Sequence, residues 1–234
     1  MLLLRAPDRH GLASHGSKKI ARRLRLPLII CFGDSLTAGY QSPGSGLPEG
    51  SDTPYGSFLQ DMLGPRVRVA ISGICGELTG EMAMRFRQDV LVHEPSFVVV
   101  LGGTNDLGLN ARPAEVMRNL LKMYESALGS GVQPVPVTVP SIRVEGLEGE
   151  GGGEGRRWVR DHIERRLTLN GLITDYCAKR EVACVDLFTA TAEPGTRFLA
   201  APYSNDGLHL TTHGYRLIAT LLYEEIFAPK FTQA

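Results

Sequence analysis

Five short runs of branched apolar residues, separated by stretches of helical periodicity, restrict the fold of this chain more than any other feature. The runs are Leu28–Phe32, Val67–Ile71, Phe97–Leu101, Val132–Val139 and Val182–Leu187. Strands that are apolar on both faces are typical of a parallel sheet with helices on either side. The pattern therefore predicts five buried parallel strands.

The stretches between these runs have the spacing of amphipathic helices. The predicted helices are Tyr55–Leu63, Leu78–Val92, Pro113–Leu128, Trp158–Lys179 and Thr211–Phe227. Parallel strands that alternate with helices are joined by right-handed crossovers, which gives an α/β fold with a three-layer α/β/α sandwich. In such sheets, ligands bind beyond the carboxyl ends of the strands.

Polar segments that carry reactive side chains follow three of the predicted strands, and a fourth lies near the end of the chain. They are Gly33-Asp34-Ser35-Leu36, Gly73-Ile74-Cys75-Gly76, Gly103-Thr104-Asn105-Asp106 and Asp206-Gly207-Leu208-His209. The carboxyl ends of parallel strands meet at one edge of a sheet, so we expect the first three to lie together. The four segments contain a serine hydroxyl, donors for an oxyanion, and a histidine with a carboxylate. This is the set of groups that acyl transfer needs.

Ser35 is the candidate nucleophile, at the step from the first strand into the next element. Gly33, two residues earlier, would allow a tight turn there. The segment is not a G-x-S-x-G elbow, because Thr37 stands where the second glycine would be. Ser35 could also cap a helix that begins at Leu36, and the two roles are compatible.

His209 is the candidate base, because Asp206 precedes it by three residues in a loop before the last helix. That spacing lets the carboxylate reach Nδ1 and leaves Nε2 for a serine. His213 lies in the first turn of the last predicted helix and is expected to be exposed. The remaining histidines are expected to be structural or exposed, and they are His10, His15, His93 and His162.

The oxyanion donors are predicted to come from the second and third segments. Asn105 offers a side-chain amide and Gly76 an unobstructed backbone N–H. An ordinary turn would also explain the third segment, since Gly, Asn and Asp all favour turns. Asp34 and Asp106 are expected to bond to loop backbone rather than to act as acid or base.

These segments resemble, in order, the sequence blocks of the SGNH hydrolase, or GDSL-type esterase/lipase, family, over roughly Leu28 to Phe227. The resemblance implies a flavodoxin-like five-stranded parallel sheet of order 2-1-3-4-5. It implies Ser35, Asp206 and His209 as the catalytic triad, with Ser35, Gly76 and Asn105 as the oxyanion hole. Two positions depart from the family pattern: Ile71 replaces an asparagine, and Cys75 replaces a common serine.

The reaction expected from the resemblance is ester hydrolysis through an acyl-enzyme on Ser35, with no cofactor and no metal. A small, short-chain acyl ester is the expected substrate. The alternatives within the family are a carbohydrate acetylesterase and a lysophospholipase or acyl thioesterase. A non-catalytic, flavodoxin-like binding domain is a further alternative, although the first segment has neither glycine-rich phosphate-binding pattern.

Composition and charge bear on partners, domains and location. The formal net charge is zero, so no overall field attracts nucleic acid. No apolar stretch approaches the roughly 20 residues that span a bilayer, and stable membrane insertion is not expected. Residues 27–234 are expected to form a single domain in the cytoplasm, and the pattern leaves the oligomeric state open.

Three segments outside the strands and helices carry separate expectations. Residues 1–26 hold seven basic residues and one acidic residue, which predicts a basic and disordered extension or a transit peptide to an organelle. The Gly/Glu-rich segment 145–155 predicts a flexible loop, either a flap over the pocket or a plain insertion. The loop Gln41–Thr53 is expected to form one wall of the acyl pocket.

Overall fold

The computed structural model describes residues 26–41, 52–144 and 153–231. Within them, a four-stranded parallel sheet has the order β2-β1-β3-β4. The strands are β1 Leu28–Gly33, β2 Arg68–Gly73, β3 Phe97–Leu101 and β4 Gln133–Pro136. The predicted α/β class and the order of the first four strands are confirmed.

Helices connect the strands and follow the sheet. They are α1 Ser35–Ala38, α2 Tyr55–Leu63, α3 Thr79–Asp89, α4 Thr104–Gly108, α5 Pro113–Gly129, α6 Glu154–Arg180, α7 Leu187–Thr191, α8 Thr212–Leu221 and α9 Ala228–Phe231, with a π-helix Leu222–Phe227 between the last two. The predicted helix Leu78–Val92 ends early, because Val90 has a φ of −121° and a 3₁₀ turn, Leu91–His93, follows it.

The two faces of the sheet are buried against different helices. In β1, Ile29 and Cys31 pack into one apolar cluster with α2, α8 and the π-helix. Ile30 and Phe32 pack into a second cluster with α3, α5 and α6. Successive strand residues point to opposite faces, so alternate residues of β1 enter different clusters and the molecule has three layers, as predicted. The predicted burial is wrong for β2, which lies at a margin of the sheet and exposes Arg68 and Ile71.

The prediction of a fifth strand over Val182–Leu187 is wrong, because this segment does not form a continuous strand. Within the described residues it pairs with the chain after β4 only at one parallel bridge, Val137 with Val185. Successive N–H groups of a strand point to alternate sides, and those of Gln133 and Val137 donate toward β3. The positions that face the fifth segment are Pro134 and Pro136, which have no N–H.

The expectations for three segments fall mostly outside the described residues. Residues 1–25 lie outside, and so do residues 42–51 of the predicted pocket wall. Of the Gly/Glu-rich segment 145–155, only 153–155 are described, and α6 begins at Glu154. The extension, the flap and the wall therefore stay predictions.

Candidate active site

Ser35 is the first residue of α1, directly beyond the carboxyl end of β1, and only 4% of it is exposed. The helix is capped by Asp34, whose Oδ1 accepts a hydrogen bond of 2.9 Å from the N–H of Leu36. The alternative that Ser35 serves as the cap is therefore wrong. The capping function belongs to Asp34, an aspartate at the position where such residues are favoured.

Gly33 is needed for a different reason from the one expected. Its φ lies outside the left-handed region, so the step out of β1 does not depend on glycine's conformational freedom. A Cβ at this position would collide with the carbonyl oxygen of Leu101 and the hydroxyl of Thr37. The missing side chain lets β3 and α1 approach β1 closely, and this sets the position of Ser35 against the neighbouring strand.

His209 and Asp206 are in direct contact in the loop before α8. The distance from His209 Nδ1 to Asp206 Oδ2 is 2.8 Å. Asp206 Oδ1 also accepts from the backbone N–H groups of Leu208 and His209, at 2.9 and 2.8 Å. Burial alone would raise the pKa of the Asp206 carboxyl, but these hydrogen bonds outweigh it and lower the pKa to about 2. The carboxylate is therefore ionised at neutral pH.

Tyr40 links the nucleophile segment to His209. Its backbone N–H donates to the carbonyl oxygen of Ser35 at 3.1 Å. Its ring lies edge-on to the His209 ring, with centroids 4.6 Å apart. Its carbonyl oxygen accepts from the hydroxyl of Tyr215, at 2.6 Å. The motifs gave no signal for Tyr40. His213, by contrast, is exposed in the first turn of α8, as expected.

Gly76 and Asn105 both lie at the edge of the sheet where β1 and β3 end. Gly76 has a φ of 79°, which favours glycine, and a Cβ there would meet no atom within 4 Å. One N–H of the Asn105 amide donates to the carbonyl oxygen of Glu77 at 3.0 Å. An amide nitrogen has two N–H groups, so this bond orients the amide and leaves the second donor.

Asp106 bonds to loop backbone, as expected. Its carboxylate accepts from the N–H and the hydroxyl of Thr79, at 3.0 and 2.6 Å. These bonds join the start of α3 to α4, which carries Asn105. Together with the Asn105–Glu77 bond, they fix the second and third segments relative to one another.

A cavity of about 560 Å³ opens beside the oxyanion donors and Asp206, and neither Ser35 nor His209 belongs to its lining among the described residues. Its lining includes the predicted site residues Gly76, Asn105 and Asp206. The other lining residues are Leu78, Glu81, Thr104, Gly108, Leu109, Ile142, Arg143, Val144, Trp158, His162, Arg166, Gly207 and Leu208. His162 was expected to be structural or exposed, and it is buried in α6.

Residues 31–217 match the model of the GDSL-like Lipase/Acylhydrolase family, and this range includes all four polar segments. The chain belongs to the GDSL-like lipase/acylhydrolase family. The resemblance drawn from the motifs is therefore confirmed.

Relatives of this GDSL-family protein include an arylesterase from Vibrio mimicus, 34% identical over 115 residues. That alignment covers 47% of the chain and 54% of the arylesterase, so the chain spans about half the length of that relative. A lipase/acylhydrolase structure from Enterococcus faecalis has a TM-score of 0.67 at 28% identity, covering 89% of this chain and 100% of that one. Est24, a carbohydrate acetylesterase from Sinorhizobium meliloti, has a TM-score of 0.67, with coverage of 87% and 99%, but its 17% identity shows likeness of fold alone.

Arg85 organises the loop that carries Gly76 in this GDSL-family protein. Its guanidinium bonds the Glu77 carboxylate at 2.5 and 2.6 Å, and also Asp89 at 2.7 Å. It further donates to Ser72 Oγ at 2.6 Å and to the carbonyl oxygen of Gly33 at 3.0 Å. These bonds tie the ends of β1 and β2 to the loop. Sequence reasoning missed Arg85, since its partners come from segments that are distant along the chain.

Asp34 is fully buried beside the nucleophile. Burial raises the pKa of its carboxyl to about 7, and the charge of Asp106 adds to the rise. The hydrogen bond from Leu36 and the charges of His209 and Arg166 oppose it.

The described ranges contain neither a cluster of metal-binding side chains nor a helix that could span a membrane. No group of three or more His, Cys, Asp or Glu side chains there could hold a metal ion. No helix in the same ranges is both long and apolar enough to cross a membrane. The cytoplasmic location stays a prediction.

Proposed function

We propose that the protein is a serine esterase that hydrolyses small, short-chain acyl esters through an acyl-enzyme on Ser35. The observation that carries the proposal is the 2.8 Å contact between His209 Nδ1 and Asp206, whose carboxylate stays ionised. This contact directs the other ring nitrogen, Nε2, away from the carboxylate and makes it available as a base.

The reaction has two steps. His209 removes the proton from the Ser35 hydroxyl as its oxygen attacks the acyl carbon, and the N–H groups of Ser35 and Gly76 with the Asn105 amide stabilise the oxyanion. The tetrahedral intermediate collapses, His209 protonates the leaving alcohol, and the acyl group remains on Ser35. His209 then removes a proton from water, which attacks the acyl-enzyme, and the acid leaves as the proton returns to Ser35. Asp206 holds the imidazole and supports its positive charge throughout.

Cavity size and relatives support a small substrate. A volume of about 560 Å³ lies within the usual range for small-molecule sites, roughly 300–1,000 Å³. The similar segment of a bacterial arylesterase supports an ester with an aromatic alcohol. Such an alcohol is a good leaving group, so its esters are also convenient assay substrates.

An acetylated carbohydrate is the second candidate substrate. Trp158 lines the cavity with 47% of its surface exposed, and its ring stacks on His162 at 4.8 Å between centroids. An exposed, flat aromatic face at a cavity mouth suits a sugar ring. The likeness in fold to a carbohydrate acetylesterase agrees with this alternative.

The test compares wild type, Ser35→Ala and Ser57→Ala on p-nitrophenyl acetate, butyrate, octanoate and palmitate. Ser57 is an exposed serine on α2 and controls for the loss of a hydroxyl. We expect wild type and Ser57→Ala to cleave the short esters at similar rates and Ser35→Ala to lose nearly all turnover. Near-normal turnover by Ser35→Ala would refute the assignment. Cleavage of acetylated xylose in preference to the aryl acetates would favour the carbohydrate alternative.

A further inference from the structure

Arg166 carries a charge that the proposed reaction does not use. It lies on α6, it is 1% exposed, and it lines the cavity beside Gly76 and Asn105. Within the described part of the chain, its Nε and Nη1 have no hydrogen-bond partner. Burial lowers the pKa of the guanidinium to about 9, which leaves it charged at neutral pH. A buried cation without a hydrogen-bonded partner is costly, because desolvation is not compensated.

Arg166 lies on a face of α6 that is buried against the rest of the molecule. Asn170, one turn further on, bonds both the N–H and the carbonyl oxygen of Val139, at 2.8 and 2.9 Å, and so fixes this face of α6 against the chain after β4. His162, one turn earlier, is buried on the same face. Burial, followed by the charges of Arg166 and Arg165, lowers the pKa of the His162 imidazole to about 4. The side chain beside Arg166 is therefore neutral and does not compete for an anion.

None of the acidic groups around Arg166 forms a hydrogen bond with it in the described residues. Among the cavity-lining residues, Glu81 accepts from the N–H of Leu78 at 2.9 Å, and Asp206 is bonded to His209. Asp34 attracts Arg166 through its charge, but Asp34 Oδ2 is itself without a hydrogen-bond partner there. The guanidinium thus has a charged neighbour but two N–H-bearing atoms without an acceptor, and an anion bound in the cavity would supply that acceptor.

We propose that Arg166 binds a carboxylate carried by the substrate, so that the preferred esters are anionic. This inference rests on the proposed esterase function. A guanidinium presents parallel N–H groups that match a carboxylate, and the pair is stronger where water is excluded. The carboxylate can belong to the acyl half or to the alcohol half of the ester, because the cavity adjoins the oxyanion donors that both halves approach.

The experiment uses two pairs of esters that differ in charge. For the acyl half, mono-4-nitrophenyl glutarate is compared with 4-nitrophenyl pentanoate. For the alcohol half, 4-acetoxybenzoate is compared with 4-acetoxybenzamide. Each pair is assayed with wild type, Arg166→Met and the control Arg160→Met, which removes the same charge from an exposed position on the same helix.

We expect Arg166→Met to lose roughly 10–100-fold in kcat/KM on the anionic ester of one pair, the effect of losing one charged hydrogen bond. The neutral esters should change by less than about 3-fold, and Arg160→Met should alter neither. The pair that responds identifies the half that carries the carboxylate. Equal losses on anionic and neutral esters would overturn the proposal, because a purely structural effect, including one through Asp34, acts on both.

Arg166→Met is expected to fold, since replacing a buried charge with an apolar side chain of similar volume is often neutral or stabilising. Arg166→Lys keeps the charge but not the forked geometry, and it should show an intermediate loss on the anionic ester. If Arg166→Lys loses as much on the neutral member of each pair as on the anionic member, the proposal fails.

Anion binding is also measured without hydrolysis, which separates this proposal from the esterase function. Calorimetry with Ser35→Ala should detect benzoate or glutarate, but not benzamide, and Ser35→Ala/Arg166→Met should bind neither anion. If the wild type cleaves no ester but anion binding still depends on Arg166, the esterase proposal is refuted and the anion site is retained. If the wild type hydrolyses esters but Ser35→Ala binds no anion, the anion site is refuted and the esterase proposal is retained.

Discussion

Replacing Arg85 with methionine should separate stability from catalysis at the oxyanion loop. Arg85 is 14% exposed and its partner Glu77 is 7% exposed, so the substitution strands a mostly buried carboxylate. Breaking such a buried pair lowers the free energy of unfolding by about 3–5 kcal/mol. Because Arg85 is partly exposed, we expect a loss at the lower end, near 3 kcal/mol. The same loop carries Gly76 and the carbonyl oxygen that orients Asn105.

Loss of a complete oxyanion donor lowers turnover roughly 10²–10³-fold. Arg85→Met loosens the loop without removing a donor, so we expect kcat to fall roughly 10–100-fold, with KM little changed. The assay measures kcat and KM on the best p-nitrophenyl ester, well below the melting temperature of the variant. Arg87→Met, an exposed change on the same helix, is the control and should match wild type.

A double-mutant cycle with Asn105→Ala makes the reasoning refutable. If Arg85 acts by holding the loop that orients Asn105, the combined loss in kcat should be smaller than the product of the two single losses. Arg85→Lys, which keeps the charge but not the fork, should lie between wild type and Arg85→Met. A destabilised Arg85→Met with unchanged kcat would show that the loop keeps its geometry without Arg85.

Three further substitutions probe the site. Asn105→Ala should lower kcat by roughly 10²–10³ on the ester series with little change in KM, and an unchanged kcat would exclude Asn105 as a donor. Asp206→Asn should lower kcat by as much as about 10⁴, whereas the wild type should keep an ionised Asp206 down to about pH 2, so an acid limb above pH 4 must come from another group. Asp34→Asn addresses stability: the folded pKa of about 7 lies above the unfolded value of 3.8, so Asp34 makes unfolding easier as the pH rises from about 4 to 7. Chemical denaturation at several pH values should therefore show that the free energy of unfolding of Asp34→Asn, relative to that of wild type, rises by up to about 4 kcal/mol between about pH 4 and pH 7. A difference that stays constant with pH would contradict the burial argument.

The sheet was predictable from sequence because its signal is local. β1 and β3 are runs that are apolar on both faces, the runs of β2 and β4 are rich in apolar residues, and the alternation with helices restricts the topology to a few arrangements. The contact between Asp206 and His209 was predictable for a similar reason, since the two residues are three positions apart in one loop. The roles of these residues in catalysis stay predictions.

The features that were missed depend on contacts between distant segments. Arg85 gathers partners from two strands and a loop, and nothing in the periodicity of α3 distinguishes it from Arg87. Tyr40 reaches His209, 169 positions further along the chain, only because α1 and the last loop meet in space. Pro134 and Pro136 indicate weak pairing with a fifth strand only if they lie on the side of β4 that faces away from β3, and the sequence does not show which side that is.

The prolines of β4 also affect how this protein meets other copies of itself. β4 lies at one margin of the sheet, and an exposed margin with a full row of N–H donors is a template for unwanted strand pairing between molecules. Pro134 and Pro136 remove two successive donors from that row, and the segment around Val185 covers the remainder with a single bridge. Because Pro134 and Pro136 have no N–H, this side of the sheet is a poor template for strand pairing between molecules, even when the covering segment moves away.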